Sequence, residues 1–310
     1  MAKKIRKKAK PLYHPANWPL HIGLGLVHLI ALLPRPIKRG LRWLLGWALF
    51  HTPTPMRRVA QRNIAVCFPE LDAEAQHAML KKNFALLGAL FVEGLNMPWP
   101  SKTNIFPAIG NINGLEHIEQ ALARKQGVLL LFPHLMAVYL VGCLLIPRVN
   151  FPFSLMYNSP KNAVLKRFFD VNIKKYCRDI YTRKDVRPMI QHLRNGNVVW
   201  YAPDLEPGKK HRVFAPFFNI PAATYTTTAR IAQLSGAVTI PIVFYRRDNE
   251  DVYDVTFQPP LADFPTGNDI DDATLLNKTV EDIVRVKPAQ YLWIYKRFSN
   301  RPDGSKNFYN

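Results

Sequence analysis

The sequence predicts an α/β fold set behind an apolar, basic-flanked N-terminal anchor. Three observations carry that expectation. Short apolar runs recur at Gly127–Phe132, Val198–Ala202 and Val238–Phe244; helical stretches lie between them; and residues 11–34 contain no Asp, Glu, Lys or Arg. Short buried strands alternating with helices are the pattern of an α/β sheet, whose functional sites gather at strand ends.

The N-terminus comes first. Six of the first ten residues are Lys or Arg, and Trp18–Leu33 is strongly apolar. A charged start followed by an apolar run is the layout of a signal peptide, but Pro34-Arg35-Pro36 and Lys38-Arg39 follow in place of a small-residue cleavage site. An uncleaved hydrophobic membrane-anchoring helix fits better. The run is marginal against the ~20 apolar residues of a full span, and His21 and His28 weaken it, so spanning and lying flat both stay open. A second apolar block, Leu41–Phe50, carries Trp43 and Trp47 behind Arg39 and Arg42. Tryptophan beside cations is the composition of a membrane–water interface. Residues 1–52 thus read as basic terminus and anchor, 53–304 as the globular domain, and 305–310 as a tail.

Within 53–304, Leu71–Asn96 has helical periodicity with Asp72 as its N-cap, and Gly114–Lys125 is helical ahead of the first strand. That strand runs into Pro133-His134. A histidine just past a buried strand is placed for proton transfer near neutral pH, though an isolated one is as readily structural. The polar stretch from Asp204 to Arg212 follows the second strand and contains Glu206, Lys209, Lys210, His211 and Arg212. Its cations suit phosphate groups, and a solvated charged loop is the alternative.

The overall charge narrows the partners. With 42 Lys and Arg against 22 Asp and Glu, the chain carries a formal +20, which calls for anionic surroundings. No DNA- or RNA-binding motif is present and the charge concentrates at the N-terminus, which disfavours nucleic acid. The three cysteines, Cys67, Cys143 and Cys177, are widely spaced without a CxxC pair, so reduced thiols are expected and no metal site is implied. No GxSxG elbow occurs.

Several stretches resemble the lipid A late acyltransferases, the lauroyl/myristoyl transferase family. They are Arg62-Asn63 with Cys67-Phe68-Pro69-Glu70, Lys82-Asn83-Phe84, Glu93, Gly127–Leu131, Thr182-Arg183-Lys184-Asp185 and Val198–Asp204. Val213–Phe218, Pro221–Thr224, Gln290–Trp293, Arg297-Phe298 and Arg301-Pro302 complete the set. The matches are collinear from about residue 57 to 304. The resemblance implies a mixed sheet flanked by helices, as in the glycerol-3-phosphate and lysophospholipid acyltransferases, and a position on the cytoplasmic face of the bacterial inner membrane. It implies an acyl-carrier protein as donor, a phosphorylated lipid A precursor as acceptor, and no cofactor or metal.

The resemblance also implies residue roles. His134 matches the histidine of the family's motif, in which four residues separate the base from an acidic residue. Here the fifth position is Tyr139. Asp204 and Arg183 match family residues that handle the acceptor, with Lys209, Lys210 and Arg212 beside them. The family's reaction needs an acyl groove, for which Met136, Val138, Leu140 and Leu144 are candidates and equally good core residues. Tyr295 and Ala289 stand where relatives carry His and Glu. A tyrosine bears no charge at neutral pH and cannot stabilise imidazolium as a carboxylate does. Three outcomes follow: a slow enzyme, one rescued by another carboxylate such as Asp204 or Glu206, or a non-catalytic relative that binds a glycolipid or partner. An acyltransferase with another acceptor, such as an aminolipid, is a further reading.

Overall fold

The computed structural model describes residues 12–94, 107–157, 159–208, 211–305 and 308–309. Four helices come first: α1 (Trp18–Leu32), α2 (Arg35–His51), α3 (Pro55–Cys67) and α4 (Ala73–Gly94). Then β1 (Ala108–Asn113), α5 (Leu115–Ala123), β2 (Val128–Leu131) and α6 (Val138–Leu145) lead to β3 (Phe153–Met156) and α7 (Ala163–Ile173). After these run β4 (Ile180–Tyr181), α8 (Val186–Arg194), β5 (Val198–Tyr201), β6 (Arg212–Phe217), β7 (Ile220–Tyr225) and α9 (Thr227–Ser235). The chain finishes through β8 (Val238–Arg246), β9 (Val252–Phe257) and α10 (Asp269–Val286). The expected helices are α4 and α5, with Asp72 Oδ1 accepting the Ala75 N–H as an N-cap. The expected strands are β2, β5 and β8.

Seven strands form one mixed sheet in the order β1-β9-β8-β2-β5-β3-β4, and β6 pairs with β7 as a separate antiparallel hairpin. Within the seven, β8–β9 is the antiparallel pair and the rest run parallel. The central strands are covered on both faces, which is why they read as unbroken apolar runs rather than alternating ones. Val198 and Trp200 of β5 point into the large core with Phe132, Phe153 and Phe244. Val199 and Tyr201 point the other way, into a smaller core with Met189 and Leu193 of α8 and Ile231 of α9.

Helix α2 lies tightly on α4. A Cβ added at Gly88 would come within 2.5 Å of the Arg42 carbonyl and the Gly46 nitrogen, and one at Gly46 within 2.9 Å of Ala85. Bare glycines let the two backbones touch. The contact is tied by charge: Arg42 of α2 donates to Glu93 of α4 at 2.9 Å, and Arg246 of β8 donates to the same oxygen at 2.6 Å. Asp251, in the β8–β9 turn, pairs with Arg39, Arg42 and Arg246.

The N-terminal segment differs in degree from a membrane span. Helix α1 has 15 residues, ~22 Å at 1.5 Å per residue against a hydrocarbon core of about 30 Å. Among the described residues no helix is long and apolar enough to cross a membrane. The apolar side chains are outward all the same: Trp18, Ile22, Leu26, Leu29 and Leu32 of α1 and Ile37, Trp43, Leu44 and Trp47 of α2 are at least half exposed. The inner face of α2 buries Lys38, Gly46 and Phe50. Lys38 Nζ donates to the Ala31 carbonyl at 2.7 Å, a cation on the C-terminal end of α1.

Candidate active site

The sheet register assembles the site. Strands β2 and β5 are parallel neighbours with Leu131 opposite Tyr201. His134 and Asp204 each lie three residues past those partners, each directly after a proline. Two chain segments leaving adjacent strands at the same level bring the two side chains together at the carboxyl edge, where α/β proteins hold their ligands.

They are bonded twice. His134 Nδ1 stands 2.5 Å from Asp204 Oδ1, and the His134 backbone N–H donates to Oδ2 at 2.7 Å. Tyr291 Oη donates to the same Oδ2 at 3.0 Å. Both His134 and Asp204 are buried. Burial works to raise the Asp204 pKa, but the His134 charge and the hydrogen bonds from His134 and Tyr291 outweigh it and hold the carboxyl below its usual range. An ionised carboxylate only accepts, so Nδ1 carries the proton and Nε2 is left as the basic nitrogen. That is the geometry of an oriented general base.

Other elements hold the pair in place. The His134 carbonyl accepts from Leu292 N at 3.0 Å, Met136 N donates to the Gln290 carbonyl at 2.7 Å, and Ala137 turns through φ 65° to start α6. The 289–295 segment is in turn held by two buried asparagines. Asn83 Nδ2 donates to the carbonyls of Ala289 and Tyr291, and Asn63 Nδ2 to those of Trp293 and Tyr295. Gln290 closes the anchor by bonding both backbone groups of Arg246. Asn63 and Asn83 therefore shape the wall that presents Tyr291 to Asp204 and sets Tyr295 edge-on to the His134 ring at 5.4 Å.

A cavity of about 850 Å³ opens over the pair, within the size range of ligand sites. Its lining includes His134, Tyr139 and Tyr295 together with Arg183, Arg187, His211 and Arg230. Among the described residues no carboxylate pairs with Arg183, Arg187 or Arg230. Arg183 lies over the Tyr225 ring at 5.6 Å.

The residues singled out along the chain separate in space. His134, Tyr139 and Arg183 share the cavity wall, with Asp204 behind His134. Tyr139 makes no hydrogen bond to His134 among the described residues; its ring meets Tyr157 edge-on at 6.2 Å. Although the residue is 43% exposed, local desolvation, then the neighbouring Tyr295, pushes its pKa up to about 12, so it stays neutral. Of the two rescuing carboxylates, Asp204 reaches the imidazole, whereas Glu206 accepts from Asn300 N on the C-terminal segment. Arg212 stacks on Phe214 and donates to the carbonyl of Gly208, which lines the cavity, without lining it itself. Lys209 and Lys210 lie outside the described residues. Met136 and Leu140 are buried in the main core and Leu144 packs against it, while Val138 borders an apolar pocket beside the cavity.

Four residues of the site had no role from the sequence: Arg187, Arg230, Tyr291 and Tyr295. Arg187 and Arg230 sit on separate helices, α8 and α9, and nothing in their spacing announces a common cavity. Tyr291 sits inside a quoted motif, but its hydroxyl gains meaning only once Asp204 is beside it.

Comparison with known proteins agrees with this architecture. A family model described as bacterial lipid A biosynthesis acyltransferase matches residues 5–300. The chain is 30% identical over 307 residues to the lipid A biosynthesis lauroyltransferase of Escherichia coli, covering 98% of this chain and 99% of that one. It is 29% identical to the palmitoleoyltransferase of the same organism, covering 98% of both chains. It is 26% identical over 296 residues to the myristoyltransferase, covering 95% of this chain and 91% of the other. The chain is therefore an enzyme, and it belongs to the bacterial lipid A biosynthesis acyltransferases.

Proposed function

We propose that the chain moves a fatty acyl group from an acyl-carrier protein thioester to a hydroxyl of a phosphorylated lipid A precursor, with His134 as general base. The observation that carries this reading is the His134–Asp204 pair, with His134 lining a cavity that three arginines also line. His134 Nε2 takes the proton of the acceptor hydroxyl; the oxygen attacks the thioester carbonyl; the C–O bond forms as the C–S bond breaks. The imidazolium then returns its proton to the leaving thiolate. Asp204 stabilises the imidazolium between these steps, the role left open by the neutral tyrosine at 139.

Arg183, Arg187 and Arg230 would hold the acceptor's phosphates, since guanidinium pairs with phosphate in bidentate fashion. A hydrogen bond to a charged group is worth ~1.5–3 kcal/mol. Each arginine changed to Ala is therefore expected to raise KM for the phosphorylated acceptor by about ten- to a hundredfold, with a smaller effect on kcat. Steady-state transfer from acyl-carrier protein thioesters, run with the acceptor and its dephosphorylated form, measures this. Equal KM values for the three variants and the native chain would remove the arginines from acceptor binding. Failure of the native chain to acylate any such acceptor would sink the functional reading.

The proposed location is the cytoplasmic face of the inner membrane, and the exposed apolar side chains of α1 and α2 support these helices lying in a lipid interface. The basic residues that precede them in the sequence add attraction to anionic headgroups. The double variant Trp43→Glu with Trp47→Glu is expected to lose at least about tenfold in affinity for anionic vesicles in a flotation assay, from the burial energy of two large side chains. Unchanged flotation would place the contact elsewhere.

A further inference from the structure

Beside the His134 cavity lies a smaller pocket of about 40 Å³, walled by α6, β3 and the end of α7. Phe132, Tyr139 and Leu155 border both spaces, so the pocket lies directly against the reaction chamber. Its volume admits about three water-sized groups, but a buried water needs two to four polar partners. Here the walls are aliphatic, aromatic and thiol. Burial pushes the Cys143 thiol up to about 12, as expected of an apolar lining. Protein interiors are otherwise close-packed, and an apolar void next to a reaction chamber suits an apolar ligand.

Gly142 gives the pocket a specific meaning. It sits inside α6, where glycine costs ~0.5–1 kcal/mol relative to alanine. At Gly46 and Gly88 a Cβ would strike backbone, which accounts for those glycines; at Gly142 a Cβ would meet nothing within 4 Å. No protein atom requires the missing side chain, so the space in front of Gly142 is open to something else.

We propose that this pocket receives the methyl end of the transferred acyl chain, and that the bare Cα of Gly142 sets how far the chain reaches. The proposal rests on the acyl-transfer reading above and adds where the chain lies and which residue measures it. A donor too long by a carbon or two meets the wall, and a residue larger than glycine moves that wall toward the chamber.

The test is transfer from acyl-carrier protein thioesters of graded chain length by the native chain, Gly142→Ala and Gly142→Leu, with thermal unfolding run on each. Gly142→Leu is expected to shift the preferred donor to shorter chains. It should lower kcat/KM for the longest good donor by about ten- to a hundredfold, the scale of misfit by a methylene or more, while shorter donors stay near native. Gly142→Ala should lie between and unfold no earlier than the native chain. An unchanged length profile, or an equal loss for every donor, overturns the proposal. A second readout needs no turnover: displacement of a fluorescent fatty acid from the purified proteins by fatty acids of graded length. If the native chain acylates nothing, but its fatty-acid affinity depends on length and Gly142→Leu shortens that dependence, the transfer reading fails and the pocket stands. A flat length dependence in both proteins overturns the pocket.

Discussion

Asp204→Asn is expected to lower acyl transfer by about 10³- to 10⁴-fold, close to the loss from His134→Ala, whereas Tyr139→Phe leaves the rate near native. The reason lies in one hydrogen bond. His134 Nδ1 meets Asp204 Oδ1 at 2.5 Å, and only an acceptor there keeps Nε2 free to take a proton. Asparagine can turn its NH2 toward Nδ1, which stabilises the wrong tautomer, and it carries no charge to offset imidazolium. In a serine hydrolase the same exchange costs about 10⁴ in kcat; positioned proton transfer in general contributes 10²- to about 10⁴-fold. Single-turnover rates with one donor and acceptor pair are the measurement. A native rate from Asp204→Asn, or a collapse from Tyr139→Phe, would move the orienting role from Asp204 to Tyr139.

The same carboxylate links site and stability. Its folded-state pKa is depressed, so its contribution is fully present above the unfolded value of about 3.9. That contribution is lost only as pH falls through the lower folded pKa. Asp204→Asn should therefore flatten the acid limb of a stability–pH curve measured by denaturant unfolding.

Glu93→Ala is expected to destabilise the chain by ~3 kcal/mol or more, with midpoint and proteolysis both reporting α2 first. Glu93 is fully buried and one of its oxygens takes guanidinium groups from Arg42 and Arg246. Removing one partner of a buried ion pair costs ~3–5 kcal/mol, because the other charge stays desolvated. Asp251 still faces both arginines, which puts the expectation at the lower end of that range. Because the group is buried, added salt should change the difference little. A loss under about 1 kcal/mol in denaturant unfolding would mean that the arginines re-pair at no cost, and that glycine-to-glycine packing alone holds α2 on α4.

Much of the fold was legible because its signals are local. The central strands β2, β5 and β8 are apolar along their length since both faces are covered, and a run of that kind can be read without knowing its neighbours. The Asp72 cap and the periodicity of α4 are local too. The site was legible one residue at a time: His134 by its place after a strand, Asp204 and Arg183 by likeness to a family. Their relation was not. Along the chain Asp204 and Glu206 are equal rescuers of a missing acid; the register Leu131–Tyr201 separates them, bringing Asp204 onto the imidazole and sending Glu206 to the C-terminal segment. The groove candidates are dispersed for a similar reason. Met136, Val138, Leu140 and Leu144 belong to one short stretch, yet a helix turns its residues to different sides. The pocket wall is built from Tyr139, Gly142, Cys143 and Ile146, with Val138 at its margin.

The order of residues alone was enough for the class of fold, the family, the basic and apolar character of the N-terminus, and the histidine proposed as the base. Each of these depends on composition, short-range periodicity or collinear motif, all of which survive in one dimension. Folding in three dimensions selected which carboxylate serves that histidine, which arginines share its cavity, and what the missing side chain of Gly142 leaves open. Those are contacts between segments far apart in the chain or on separate helices, set by strand order and register. Along the chain the fifth position after His134 is a neutral tyrosine; in space a carboxylate reaches the imidazole from the end of the neighbouring strand.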